Sequence, residues 1–128
     1  MLTREQLLGS FQRRYLTIDT PIGPVRIQNL NEGEKSLWQD ANYSAKDGKL
    51  VEGWLGKSRR RLVAACLVDE NGERLLQPDD AARLKEVDSG VVAQIADACS
   101  EHIGLPLAEK QELEKNSDEA PADDSPTA

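Results

Sequence analysis

The segment VDENGE, residues 68–73, is the stretch of this sequence nearest to a metal-binding loop. With Gly72 at the sixth position of a calcium loop, Asp69 and Asn71 would fall at ligand positions three and five. Position one would then be Leu67 and position twelve Pro78, and neither side chain carries an oxygen. Asn71-Gly72 suits a tight turn with positive φ, which explains the segment without an ion. The basic run Lys57, Arg59, Arg60 and Arg61 could meet phosphates. On a helix, however, three successive side chains fan through about 200° and share no face. No aromatic residues alternate with them for stacking on bases. The run therefore reads as a solvated face with partly buried stems, or as a contact to a protein partner through Arg59 and Arg60.

Other reactive side chains also find structural roles. His102 is the only histidine, and no cysteine or acid pair stands beside it at ligand spacing. Its place at the end of a helical pattern fits packing or a helix-dipole contact. Cys66 and Cys99 lie in separate apolar segments and read as small core residues of a cytoplasmic protein rather than a disulfide. Gly53 and Gly56 fall in a helical pattern without the lysine of a phosphate loop. Ser58 and Ser100 sit in helices, not in a nucleophile elbow. Asp79-Asp80 suits the positive end of a helix dipole. No catalytic, cofactor-binding or metal-ligating set emerges, and the expectation is a protein that is not an enzyme.

The elements that carry these residues follow from length and pattern. A chain of 128 residues fits one domain. Aromatics make up only 4%, so Leu, Val, Ile and Ala must build the core. No apolar run approaches the roughly 20 residues of a membrane helix, and MLTREQLLGSF lacks the pattern of a signal peptide. The net charge of −7 is uneven: residues 106–128 hold seven acids against Lys110 and Lys115. The body is nearly neutral, which disfavours long-range attraction to nucleic acid or an anionic membrane.

Thr3 and Gln6 form a capping-box pattern for a short helix over about residues 4–10. Leu16 and Ile18 then alternate with polar residues, as do Val25 and Ile27, around the turn-forming TPIGP. This predicts a β-hairpin at about residues 15–29. Asn31 and Glu34 make a second capping box, followed by Leu37, Trp38 and Ala41 at helical spacing. KDGK interrupts, and a longer helix is expected to carry Val51, Trp54, Leu55, Ser58, Leu62, Ala65 and Cys66 on one stripe. Its second half, LVAACLV, is apolar all round and is expected to be the most buried part. ERLL is either a short extended segment or a loop. Pro78 opens a further helix, and Asp88 caps a last one that buries Val91, Val92, Ile95, Cys99 and Ile103 and ends at Gly104. The expected fold is α+β and mostly α-helical: a small N-terminal hairpin packed on four to five helices. Residues 1–105 form one globular domain and 106–128 an acidic, disordered tail.

In this order, the segments MLTREQLL, PVRIQNLNEGEKSLW, RRRLVAACLVDENGERLLQPDDAARLKEVDSGVVAQIADACSEHIGL and ELEKNS resemble the tail assembly chaperones of long-tailed bacteriophages. The resemblance covers about residues 1–117. It implies a non-enzymatic protein without cofactors that binds the tape-measure protein, keeps its long apolar helices soluble and helps recruit tail-tube protein. It also implies action in the host cytoplasm and absence from the mature virion. Many of these proteins have a longer form made by a −1 ribosomal frameshift. Glu114-Lys115-Asn116 can be encoded GAA AAA AAC, which contains the slippery heptamer A AAA AAC. The acidic, Ala- and Pro-rich end departs from the family pattern.

A chaperone needs apolar surface for its client and charge for its own solubility. The client surface or a self-association edge is placed at the hairpin residues Leu16, Ile18, Val25 and Ile27 together with Trp38. The competing possibility is that these residues pack against the long helix. Alternative functions are a structural adaptor of the virion, such as a head–tail connector component, and a small nucleic-acid-binding regulator built on Arg59 to Arg61.

Overall fold

The computed structural model describes residues 1–104. It opens with α1 (Arg4–Leu8), which starts as the capping box requires: the Gln6 amide donates to Thr3 Oγ1 at 3.1 Å and the Thr3 amide to Gln6 Oε1 at 2.9 Å. Strands β1 (Tyr15–Thr20) and β2 (Gly23–Gln28) pair antiparallel, with Leu16 opposite Ile27 and Ile18 opposite Val25. All four therefore lie on one face of the sheet. Buried Asn29 ties the strand ends together: its Nδ2 donates to Gln12 O at 3.0 Å and its Oδ1 accepts from the Arg14 amide at 2.8 Å.

Helix α2 (Glu32–Asp40) carries the second capping box, between Asn31 and Glu34. A loop held by the Tyr43–Leu50 bridge leads to α3 (Trp54–Cys66). Two details of the expected long helix are corrected here. Gly53, placed inside the helical pattern, is instead its N-cap, with φ of +70°. That left-handed geometry costs glycine little and stops the helix from reaching back to Val51.

At the other end the apolar run LVAACLV does not stay helical. Leu67 leaves the helix with ψ of 126°, and Leu67–Val68 forms β3, antiparallel to β2. The expected hairpin is thus a three-stranded sheet in the order β1-β2-β3. The physical reason is a demand that periodicity does not register. Ile27 is wholly buried, and the backbone polar groups on the far side of β2 need partners away from water. The turn that follows is built by Asp69, whose Oδ1 accepts from the amides of Asn71 at 2.8 Å and Glu73 at 3.0 Å. Gly72 has φ of +82°, and a Cβ there would come within 2.7 Å of the Tyr15 hydroxyl. The turn therefore requires glycine for both its backbone angle and the close approach of β1.

Pro78–Glu86 is helical as expected, but it winds as a 3-10 helix, entered through a bond from the Gln77 amide to Asp80 Oδ2 at 3.0 Å. Helix α4 (Ser89–His102) is capped by Asp88, which accepts from the Val91 amide at 3.1 Å, and Gly104 follows with φ of +73°. The molecule is α+β and mostly helical, with the sheet at its N-terminal end.

The core joins α3, α4 and one sheet face through Ile27, Leu62, Val63, Cys66, Val91, Val92, Ile95 and Cys99. Each large apolar side chain buried there contributes about 1.5–3 kcal/mol. Cys66 meets Cys99 near the C-terminal ends of α3 and α4, and Val92 shares a groove with Arg59 and Arg60 near the other ends. The two helices therefore run the same way.

Both thiols are free and fully buried. The hydrogen bond with Cys66, together with burial, pushes the Cys99 thiol far above its ordinary range. Since both thiols are closed off from solvent, neither cysteine should react with an aqueous thiol reagent in the folded protein. Both should react once urea unfolds the chain. Rapid labelling in buffer alone would contradict this packing.

Candidate interaction surface

The residues selected from the sequence for partner contact do not form one surface. Ile27 and Trp38 are buried, at 0% and 7% exposure. Ile18 and Val25 are half-buried against the same core, and only Leu16 is exposed. The apolar face of the hairpin is the face that packs on α4. Trp38 leans on α3, where its Nε1 donates to Ser58 O at 2.8 Å. Arg59 and Arg60 are half-buried beside the groove between α3 and the start of α4.

What remains open lies elsewhere. Between α2, α3 and the 3-10 helix is a groove of about 230 Å³. Its sides are Leu30, Leu37 and the edge of Trp38, and its floor is Ala64, Ala65 and Ala81. Three alanines leave depth that larger side chains would fill. Leu37 is 75% exposed, although its neighbour Trp38 is buried. Consecutive helical residues point about 100° apart, so α2 cannot bury both against α3.

Polar groups line the groove where backbone needs them. Gln28 Nε2 donates to Ala65 O at 3.0 Å and Arg74 Nη2 to Ala64 O at 2.9 Å, satisfying the last carbonyls of α3. Arg61 reaches Asn42 Oδ1 through Nη2, but its buried Nε has no acceptor among the described residues. Burial, and then the charge of Arg60, lower the pKa of that guanidinium.

A second apolar feature is rooted at the groove's edge. Residues 1–12 are exposed throughout, including Leu2, Leu7, Leu8 and Phe11. α1 buries none of its residues. This arm is fastened by Arg13, which makes a bidentate pair with Glu34 at 3.0 and 2.9 Å, bonds the carbonyl of Asn29 and lies 4.8 Å from the Phe11 ring centre. The hydrogen bonds from Arg13 hold the Glu34 carboxyl below its usual range, against the opposing effect of burial. A depressed carboxylate stabilises the fold above its unfolded pKa, and that stability is lost as pH falls through the lower folded value. Glu34→Gln should therefore flatten the acid limb of a stability-versus-pH curve below about pH 4.5, the ordinary value for a free Glu side chain. An unchanged acid limb would contradict the pairing.

A wider depression of about 610 Å³ lies on the outer face of the sheet. Arg26 crosses it, stacked 4.2 Å from the Tyr15 ring centre and bonded to Glu70 O at 2.7 Å. His102, at the end of α4, places Nε2 3.1 Å from Arg14 O, so it docks the helix end on the segment before β1. Among the described residues no three His, Cys, Asp or Glu side chains are grouped to hold a metal ion. Among them, too, no helix is long and apolar enough to cross a membrane.

The exposed apolar set (Leu37 and the arm), with half-buried Leu30 beside it, was not singled out from the sequence. One signal was available for Leu37, which stands next to Trp38 in a helix of nine residues. Nothing local marks Ala81 or the arm as neighbours of that helix, because those relations are tertiary.

No protein-family model matches the sequence, and no curated protein does either. Among solved structures, the fold is similar to that of the tail assembly chaperone of bacteriophage HK97, with a TM-score of 0.54 and 17% identity. The match covers 78% of this chain and 96% of that one. At that identity the likeness is one of fold.

Proposed function

We propose that this chain is a tail assembly chaperone of a long-tailed phage, acting without catalysis. It binds the tape-measure protein, keeps that client's long apolar helices soluble and helps recruit tail-tube protein. It works in the host cytoplasm and leaves before the virion is complete. The observation that carries this reading is the combination of a fold like that of the HK97 chaperone with an apolar groove open to solvent and an exposed apolar arm.

A groove floored by alanines and walled by leucines and a tryptophan edge accepts one face of an amphipathic helix. Burying client leucines against Leu30 and Leu37 supplies affinity without needing a particular sequence. A client with many similar helices can thus be coated by many copies.

The test is co-expression with the tape-measure protein of the same phage. The client should move from the pellet to the soluble fraction and co-purify with several copies of this chain. Its staying in the pellet at equal expression would overturn the proposal. Mass spectrometry of purified virions should find no copies, and stoichiometric recovery there would mark the chain as a structural adaptor instead.

A further inference from the structure

One charged surface is left over by this reading. Lys57, Arg59, Arg60, Arg61 and Lys85 line two adjoining grooves where α3 meets the 3-10 helix and the start of α4. Among the described residues, Asp79 is the only acid lining either groove. Among the described residues none of these five cations takes part in an ion pair such as Arg4–Glu5 or Arg13–Glu34. Arg60 folds back over Gly56, where a Cβ would stand 3.1 Å from Nη1, which holds its charge within the patch. So concentrated a positive face is unusual in a chain of net charge −7.

We infer that the occupant of this face is the chain's own acidic segment, residues 109–124. Charge complementarity is the first argument. That segment holds Glu109, Glu112, Glu114, Asp118, Glu119, Asp123 and Asp124 against two lysines. Reach is the second. The segment follows the C-terminal end of α4, and the basic face lies at the other end of that 14-residue helix, about 21 Å away. Fourteen residues separate Gly104 from Asp118, and a chain of that length can reach at most about 46–50 Å, more than twice that distance. Covalent tethering within reach of the face places the acids near it at a local concentration of order millimolar. Weak, multivalent attraction then suffices for occupancy. The contact screens the basic face from stray polyanions, and this holds whether or not the chain is a chaperone.

The test uses the full chain with a nitroxide on Ser117→Cys, since Cys66 and Cys99 are buried and remain unlabelled. Amide signals of Arg60 and Lys85 should broaden at low salt. They should recover at about 0.5 M salt, where the screening length is roughly 4 Å. Converting Glu112, Glu114, Asp118, Glu119, Asp123 and Asp124 to their amides should abolish the broadening, as should Arg60→Gln with Lys85→Gln. Broadening that survives high salt or the neutral segment would overturn the inference. So would broadening that grows with protein concentration, which would place the segment on a second copy.

Discussion

Trp38→Ala should destabilise the protein by about 3–5 kcal/mol, as expected for removing a large aromatic side chain from a core. That is a large share of the roughly 5–15 kcal/mol by which small domains are stable. Trp38 is 7% exposed and is the main side chain by which α2 holds α3. Two effects can be separated there. Trp38→Phe keeps most of the apolar contact but loses the 2.8 Å bond from Nε1 to Ser58 O, which should cost about 1 kcal/mol for the bond alone. Urea unfolding of the three proteins measures both. Equal losses for Phe and Ala would mean that the hydrogen bond dominates and that packing around the ring is loose. A loss below about 0.5 kcal/mol for Ala, the range of ordinary surface changes, would mean that Trp38 is not a core residue.

Leu37→Asp should do the opposite: stability within about 0.5 kcal/mol of the wild type, with solubilisation of the tape-measure client abolished. At 75% exposure Leu37 contributes little to folding, so a carboxylate there keeps its water. In a bound complex the same carboxylate would be buried against client leucines, at a desolvation cost of several kcal/mol. A binding loss of 4 kcal/mol is close to a thousandfold. The co-expression assay would therefore read as all or none, while circular dichroism and the urea midpoint stay unchanged. Full solubilisation by Leu37→Asp would move the client site away from the groove. Deleting nothing and changing one exposed residue keeps fold and function apart in this experiment. Trp38→Ala would confuse them.

These two neighbouring residues also show how far the sequence could be read. The starts of α1, α2 and α4 were legible because they are local, whereas that of α3 was not. Thr3 with Gln6, Asn31 with Glu34, and Asp88 each bond a backbone amide three residues on, as their side-chain types demand. The hairpin was legible through alternation, and the packing of the last helix through its apolar stripe. The third strand was not legible. Leu67 and Val68 continue an apolar helix without a break in pattern, and only the need of β2 for a second neighbour pulls them into the sheet. Periodicity identifies which residues seek burial, but not which burial partner wins.

The same limit governs the site. Leu16, Ile18, Val25, Ile27 and Trp38 were selected as apolar residues on small elements, a property shared by core and docking surfaces. The structure puts Ile27 and Trp38 in the core and leaves Leu37 outside it. Arg59 and Arg60 were read as a face of uncertain use, and only the fold brings Lys85 beside them. The 106–128 tail and the codons for Glu114-Lys115-Asn116 concern residues outside those described, so their part in function rests on charge and coding pattern alone.

The central claim is that the groove between α2, α3 and the 3-10 helix receives an amphipathic helix of the tape-measure protein. Titrating a peptide of one such helix into isotopically labelled protein tests it most directly. The account predicts saturable shifts at Leu30, Leu37, Ala65 and Ala81, with the indole N–H of Trp38 moving in step. Saturable binding that leaves those signals still and shifts the outer sheet face at Thr17, Arg26 and Leu75 would contradict it.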